Sequence, residues 1–345
     1  MTAAPTQLPR PALLERLKHN GSAPVFVVLI ALALVMVFLN PGFYEPPSLM
    51  AFLRSAAPLV ILAIGQYFVI VSGEFDLSVG SLVGAQVVIA ARLIDGEESR
   101  TWPVIALMIG FGLVVGLVNG LATTLLRVPS FITTLGTMLM LYGAIRMWTG
   151  GSPTGALSES FRQWGRMGIE MPVLRQLPYA AIIMVVIAVI GIYVMRSSYG
   201  QVLVVTGDND TAATFAGGRV WLVRTGAFVL SSLMATVAGI LIGGFAGVTA
   251  QVGQGMEFTA ITAVVLGGVL LGGGRGWIVG AIAGALTYQL LERLLVQLAM
   301  PSTLNPLIQG VIIIAAVAFA ANQSRTRRTK VAAQAPAEPS PVGVG

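Results

Sequence analysis

The chain has 345 residues, 56% hydrophobic and 10% charged, with a formal net charge of +6. Soluble domains carry about 25% charged residues, so most of this chain belongs in lipid. It has no cysteine and a single histidine, His19, which excludes disulfides, thiolate catalysis and the common zinc cages, and it lacks the basic stripe with interleaved aromatics that would point to nucleic acid.

Residues 1–21 form a polar, basic stretch without a small-residue cleavage site, so they read as a cytoplasmic tail and not as a secretory signal; His19 lies within it as a surface residue. About ten apolar runs follow, each near the length of about 18 residues needed to cross about 30 Å of hydrocarbon as a helix. In chain order they are Ser22–Leu39, Ser55–Ser72, Leu77–Ile94, Trp102–Leu126, Val128–Thr149, Leu177–Met195, Trp221–Gly244, Thr259–Gly273, Trp277–Ala299 and Leu304–Ala321. Only Gly73-Glu-Phe-Asp76 separates the second from the third. The fifth is rich in Thr, Ser and Gly, and the eighth is short enough to be broken or re-entrant. Residues 150–176 are the longest connection outside and are expected to form a small helix or cap. Residues 322–345 are basic, then rich in Pro, Ala and Gly, and read as a disordered tail. The expected architecture is an all-α, polytopic membrane domain over residues 22–321, flanked by two cytoplasmic tails.

Orientation follows the cations. With the N-terminus inside, twelve of the twenty Lys and Arg residues lie at or near the cytoplasmic side and eight fall outside or near that face, a modest bias, and ten spans return the C-terminus to the cytoplasm.

Many of the 41 glycines lie inside spans. Gly239, Gly243, Gly244 and Gly247, and likewise Gly276, Gly280 and Gly284, have the small-xxx-small spacing of close helix packing in lipid. Gly272-Gly-Gly-Arg-Gly276 resembles a phosphate cradle, but neither Lys18 nor Lys330 follows a glycine, so a P-loop is impossible and any ATP must bind another chain.

Two readings fit Glu74 and Asp76. Ionisable groups at membrane depth mark a pathway; alternatively they sit in a cytoplasmic surface turn, where Asp76 or Ser78 caps the helix beginning near Leu77. Glu257, Glu292 and Arg293 fall near outer helix ends and read as interface anchors. Gly207-Asp-Asn-Asp-Thr-Ala-Ala-Thr-Phe-Ala-Gly217 is a polar, helix-compatible patch between two apolar spans. By itself it is a capped connector or the place where a transporter meets an outside motor.

Four segments together resemble the permease subunits of bacterial ATP-binding cassette (ABC) importers for simple sugars, the ribose-type family. They are Gly65-Gln66 with Val71-Ser-Gly-Glu-Phe-Asp-Leu-Ser-Val-Gly-Ser81; Val128-Pro-Ser-Phe-Ile-Thr-Thr-Leu-Gly-Thr137 with Thr149-Gly-Gly-Ser-Pro153; Tyr199-Gly200 with the Gly207–Gly217 patch; and Ala260-Ile-Thr-Ala-Val-Val-Leu-Gly-Gly268 with Gly273-Gly-Arg-Gly276 and Gly280. Glu74-Phe75 departs from the family's Gly-Ile pair, which leaves the substrate open. The resemblance implies a non-enzymatic subunit of the bacterial inner membrane that pairs with a second permease copy or a paralogue. It would dock a cytoplasmic ABC ATPase, which holds ATP and Mg, and receive sugar from a periplasmic binding protein. The chain itself would bind no cofactor and no metal. Gly207, Asp208, Asn209, Asp210, Ala212, Ala213 and Gly217 then match the ATPase-coupling segment. Gln66, Glu74, Asp76, Ser78, Asn119, Thr133, Thr134 and Thr137 are the path candidates, because a neutral sugar calls for hydroxyl and amide groups. The competing classes are an ion-coupled secondary transporter using Glu74 or Asp76, and a channel or scaffold.

Overall fold

The computed structural model describes residues 23–152, 155–172, 174–249 and 251–314. The two tails, His19, Pro153 and the end of the tenth span fall outside these residues. Within them the protein is an α-helical bundle of the polytopic membrane type, with helices at every expected span. The elements are α1 (Ala23–Leu39), α2 (Pro46–Val71), α3 (Val79–Ile94), α4 (Thr101–Thr124), α5 (Ser130–Thr149) and α6 (Glu159–Arg166). A hairpin of β1 (Gly168–Met171) and β2 (Arg175–Pro178) precedes α7 (Tyr179–Arg196), α8 (Ser198–Asp208), α9 (Asp210–Phe215), α10 (Val220–Ala246), α11 (Met256–Leu266) and α12 (Ile278–Gln297). A short apolar helix α13 (Leu304–Ile314) ends the described chain.

Five helices are long and apolar enough to cross a membrane unaided, α2, α4 (with the turn before it), α7, α10 and α12. From Ala56 to Val71, α2 is buried on all sides, as expected of a helix that is hydrophobic all round and sits at the centre of a bundle. It packs against α10, α7, α12 and α11, and α10 packs in turn on α4, α3 and α6. In contrast, α1 buries only Val25 and Met36 and lies at the edge against α12.

Among the shorter apolar helices, two bear on the centre of the bundle. α11 has 11 residues, about 16 Å at 1.5 Å per residue, or roughly half the hydrocarbon thickness. α3 has 16 residues and follows a non-helical run from Glu74 to Ser78. The expected weakness of the eighth span is thus real, and the third span is shortened as well. Their N-termini meet: a methyl group on Gly80 of α3 would strike the Glu257 side chain and the Gly253 carbonyl. Glu257 is 4% exposed. The expectation of an interface anchor is therefore corrected for Glu257, because the loop before α11 lies against α3 and Glu257 is buried between them.

Close packing falls where the sequence placed it on α10, whose Gly239 lies against Gln86 and Gly244 against Gly165. Gly247 contributes no contact; it ends α10 at φ +75°. Close packing also falls as expected on α12, where a methyl group on Gly284 would strike the Ala263 carbonyl of α11. Another close crossing was not singled out from the sequence. It is α4 on α10, where methyl groups at Gly116 and Gly120 would each lie 2.7 Å from a Cα of α10, at Val229 and Thr225.

The connection after α5 forms the expected cap, with a small hairpin added. Ser158 caps α6 by accepting from Phe161 N at 3.3 Å. The Glu98 carboxylate accepts from the Glu159 backbone at 2.7 Å and from the Ser160 hydroxyl. Phe161 is fully buried beside Gly243 of α10. α6 and the hairpin therefore close one end of the bundle.

Candidate functional site

The break between α2 and α3 exposes backbone groups that a membrane interior cannot hydrate, so side chains must satisfy them. α5 supplies them. It buries only Ser130, Thr134 and Thr137, a stripe at helical spacing that faces the break. Phe75 N donates to Ser130 Oγ at 3.1 Å and Leu77 N donates to Thr134 Oγ1 at 3.1 Å.

Asp76 is fully buried. One carboxylate oxygen accepts from Ser78 N at 3.0 Å and Ser78 Oγ at 2.6 Å; the other accepts from Ser231 Oγ of α10 at 2.8 Å. Asp76 does satisfy a donor ahead of α3, as a capping residue would. The expected surface turn is nevertheless corrected, because α5 and α10 close over the break. Ser78 Oγ also accepts from Asn119 Nδ2 at 2.9 Å, and Asn119 Oδ1 accepts from Thr137 Oγ1 at 2.6 Å. Ser231, Asp76, Ser78, Asn119 and Thr137 thus form one bonded network joining the break to α4, α5 and α10, and Thr134 holds the break's backbone beside it. Gln66 is fully buried, and neither of its amide atoms has a partner among the described residues; the same holds for Thr133 Oγ1.

Glu74 stands apart from this network. Its carboxylate lies 3.3 Å from Arg224 Nε, while Arg224 Nη1 lies 3.6 Å from the Asp210 carboxylate. Arg224 Nε also donates to Ser72 O at 3.3 Å. Arg224, in the first turn of α10, therefore clamps the end of α2 to the start of α9. The sequence had placed Arg224 only by its charge; its partners lie 150 and 14 positions away and leave no local signal.

The polar patch divides at Asn209, which separates α8 from α9 and caps α9 by accepting from Ala212 N at 2.9 Å. At the other end Gly217 takes φ +84°, and Gly218 N reaches back to Ala213 O at 2.9 Å, the left-handed ending that favours glycine. Gly207 is wedged against the Val71 carbonyl, and Gly274 N donates to that same carbonyl at 2.9 Å. Gly274 also abuts Asp208. The glycine-rich loop after α11 is thus a close-packed seat for the patch. Ala213 faces inward at 2% exposed while Ala212 faces out. Phe215 is 88% exposed, a large apolar side chain on a polar helix. Sequence reasoning passed over it, although an aromatic amid Asp, Asn, Thr and Ala was a readable sign.

Stacked apolar helices around a buried, broken-helix polar network define a multi-pass membrane transport protein. A family model described as the permease component of a branched-chain amino acid transport system matches residues 48–317, so the chain belongs to that family of ABC importer permeases. It is 32% identical over 295 residues to the autoinducer 2 import system permease protein LsrC of Escherichia coli, covering 84% of each chain. It is 30% identical over 327 residues to the LsrC protein of Salmonella typhi, covering 93% of this chain and 92% of the relative. The Yersinia enterocolitica LsrC protein is 30% identical over 306 residues, with 88% and 83% covered. No solved structure matches. Permeases of this class are non-catalytic inner-membrane subunits. ATP hydrolysis belongs to a partner chain, and a substrate-binding partner is implied.

Proposed function

We propose that this permease imports a small carbohydrate, a pentose, a hexose or a related furanose, by alternating access driven by an ATPase that grips α9. In this reading α9 faces the cytoplasm, with both chain termini, and the hairpin end faces the periplasm and its binding protein. The patch residues Gly207 to Gly217 shape the docking helix, and exposed Phe215 is its apolar anchor. A second permease copy or a paralogue completes the path.

The observation that carries this reading is the Glu74–Arg224–Asp210 clamp. It ties the base of the docking helix to the break between α2 and α3, so a displacement of α9 acts on buried polar groups in the bundle. On this view Glu74 serves coupling, and the network from Asp76 to Thr137 holds the break in shape. The ion-coupled alternative loses its two carboxylates, since Glu74 is ion-paired and Asp76 accepts three hydrogen bonds. Autoinducer 2, named for the relatives, is the first compound to test.

The test is ATP-driven uptake in host membrane vesicles containing the whole importer. The panel is D-ribose, D-xylose, D-glucose, ribitol and autoinducer 2, with L-leucine included because the family description names branched-chain amino acids. Uptake of one carbohydrate that needs ATP and survives an uncoupler supports the proposal. Uptake of leucine alone rejects its substrate class, and loss of all uptake with the uncoupler at constant ATP rejects its energy source.

A further inference from the structure

Most of the polar side chains around the break already bond to one another, so a passing solute must find its partners elsewhere. A cavity of about 360 Å³ opens between the last turns of α5, the middle of α3 and the loop before α11. Its size falls at the lower end of small-molecule sites, roughly 300 to 1,000 Å³. Tyr142, Arg146 and Thr149 line it from α5, and Thr249 and Gln254 from the loop. Tyr142 Oη is buried and has no hydrogen-bond partner among the described residues. A buried hydroxyl left unpaired costs free energy that a ligand can recover.

Val88 of α3, Leu139 and Ile145 of α5 and Val252 of the loop add apolar surface among these polar groups. A lining of both kinds suits a sugar, whose ring presents hydroxyl edges and a C–H face. Among the described residues the lining contains one cation, Arg146, and no carboxylate, while buried Glu257 lies within electrostatic reach of Tyr142, so leucine is the rival ligand to test. The loop is firmly seated: a methyl group on Gly84 would come within 2.6 Å of the Val252 carbonyl, and Gly253 takes φ +82° against Gly80. The cavity is therefore preformed and needs little ordering on binding.

We propose that this cavity is a carbohydrate-binding waypoint on the hairpin side of the path, with Tyr142 and Gln254 as its hydrogen-bonding residues. The assignment rests on the import reading above but is tested apart from it. Because the chain has no cysteine, a single Gln254→Cys substitution gives a unique thiol. Its labelling by a membrane-impermeant methanethiosulfonate is followed in vesicles carrying the whole importer, with each panel compound in turn. Leu298→Cys, exposed outside the cavity, is the control.

At least one carbohydrate is expected to slow labelling at the Gln254→Cys thiol several-fold, with leucine and the control site unaffected. Adding Tyr142→Phe, which removes a hydroxyl that bonds nothing among the described residues, should raise the half-protecting concentration about threefold to tenfold, the loss of one hydrogen bond. Labelling that no carbohydrate slows, or that leucine slows equally, overturns the site. Protection without ATP-driven uptake would leave the site standing and sink the import reading; uptake without protection would do the reverse.

Discussion

At Asp76 three donors converge on one carboxylate, two from Ser78 in the break and one from Ser231 of α10. Asp76→Ala would strand them, at about 1 to 3 kcal/mol per buried group. We expect a loss of about 3 kcal/mol or more, read as a lower melting temperature in detergent, and a smaller loss for Asp76→Asn, which keeps one acceptor. Equal stability of Asp76→Ala and the parent would refute the structural role given to the network. Arg224 calls for a different readout. Its guanidinium is 19% exposed and Glu74 is 16% exposed, so this pair is screened less than a surface pair, while Asp210 at 56% is largely solvated. Arg224→Gln should leave the complex assembled yet cut ATP-driven uptake about fivefold or more, the scale of a coupling free energy near 1 kcal/mol. Unchanged uptake per ATP hydrolysed would remove the clamp from the mechanism.

Among the elements, α9 is six residues long and depends on its caps and seat. Asn209→Ala removes the N-cap, worth about 1 kcal/mol, and Phe215→Ala removes the exposed anchor. Both should lower the amount of ATPase that co-purifies, Phe215→Ala more strongly, as expected of an aromatic hot spot; full recovery of the ATPase with Phe215→Ala would show that docking lies elsewhere. The α4–α10 crossing offers a test of packing. Gly116→Leu would force apart backbones already in contact, at a cost of about 1 to 3 kcal/mol, visible as reduced thermal stability. The spans themselves were legible because apolar runs and their breakers are local signals. The Gly112, Gly116 and Gly120 repeat was equally local and was overlooked beside the glycines of α10 and α12. What sequence alone could not supply was partnership across distance. Nothing near Asp76 announces Ser231, and nothing near Glu257 shows that Gly80 will cover it. Those pairings exist only once α10 and α11 have packed, and of the path candidates only Asp76, Ser78, Asn119 and Thr137 proved to be one another's partners.

For the molecule as a whole, the two ends have different work. The hairpin end is closed by α6 and by the hydrogen bonds of Glu98, and the α9 end presents an exposed aromatic helix held by ion pairs. Between them α2 and α10 run through the bundle in contact, so a force applied at one end is carried by packed helices to the break and to the cavity beside α5. Permeases of this class leave ATP hydrolysis to a partner chain, and in this chain Glu74 is ion-paired and Asp76 hydrogen-bonded at the break. The most direct measurement is solute accumulation in liposomes holding the purified permease, alone under an imposed proton or sodium gradient, and then with its ATPase, binding protein and ATP. Accumulation only in the second case is the expected result. Uphill accumulation by the permease alone would contradict the account.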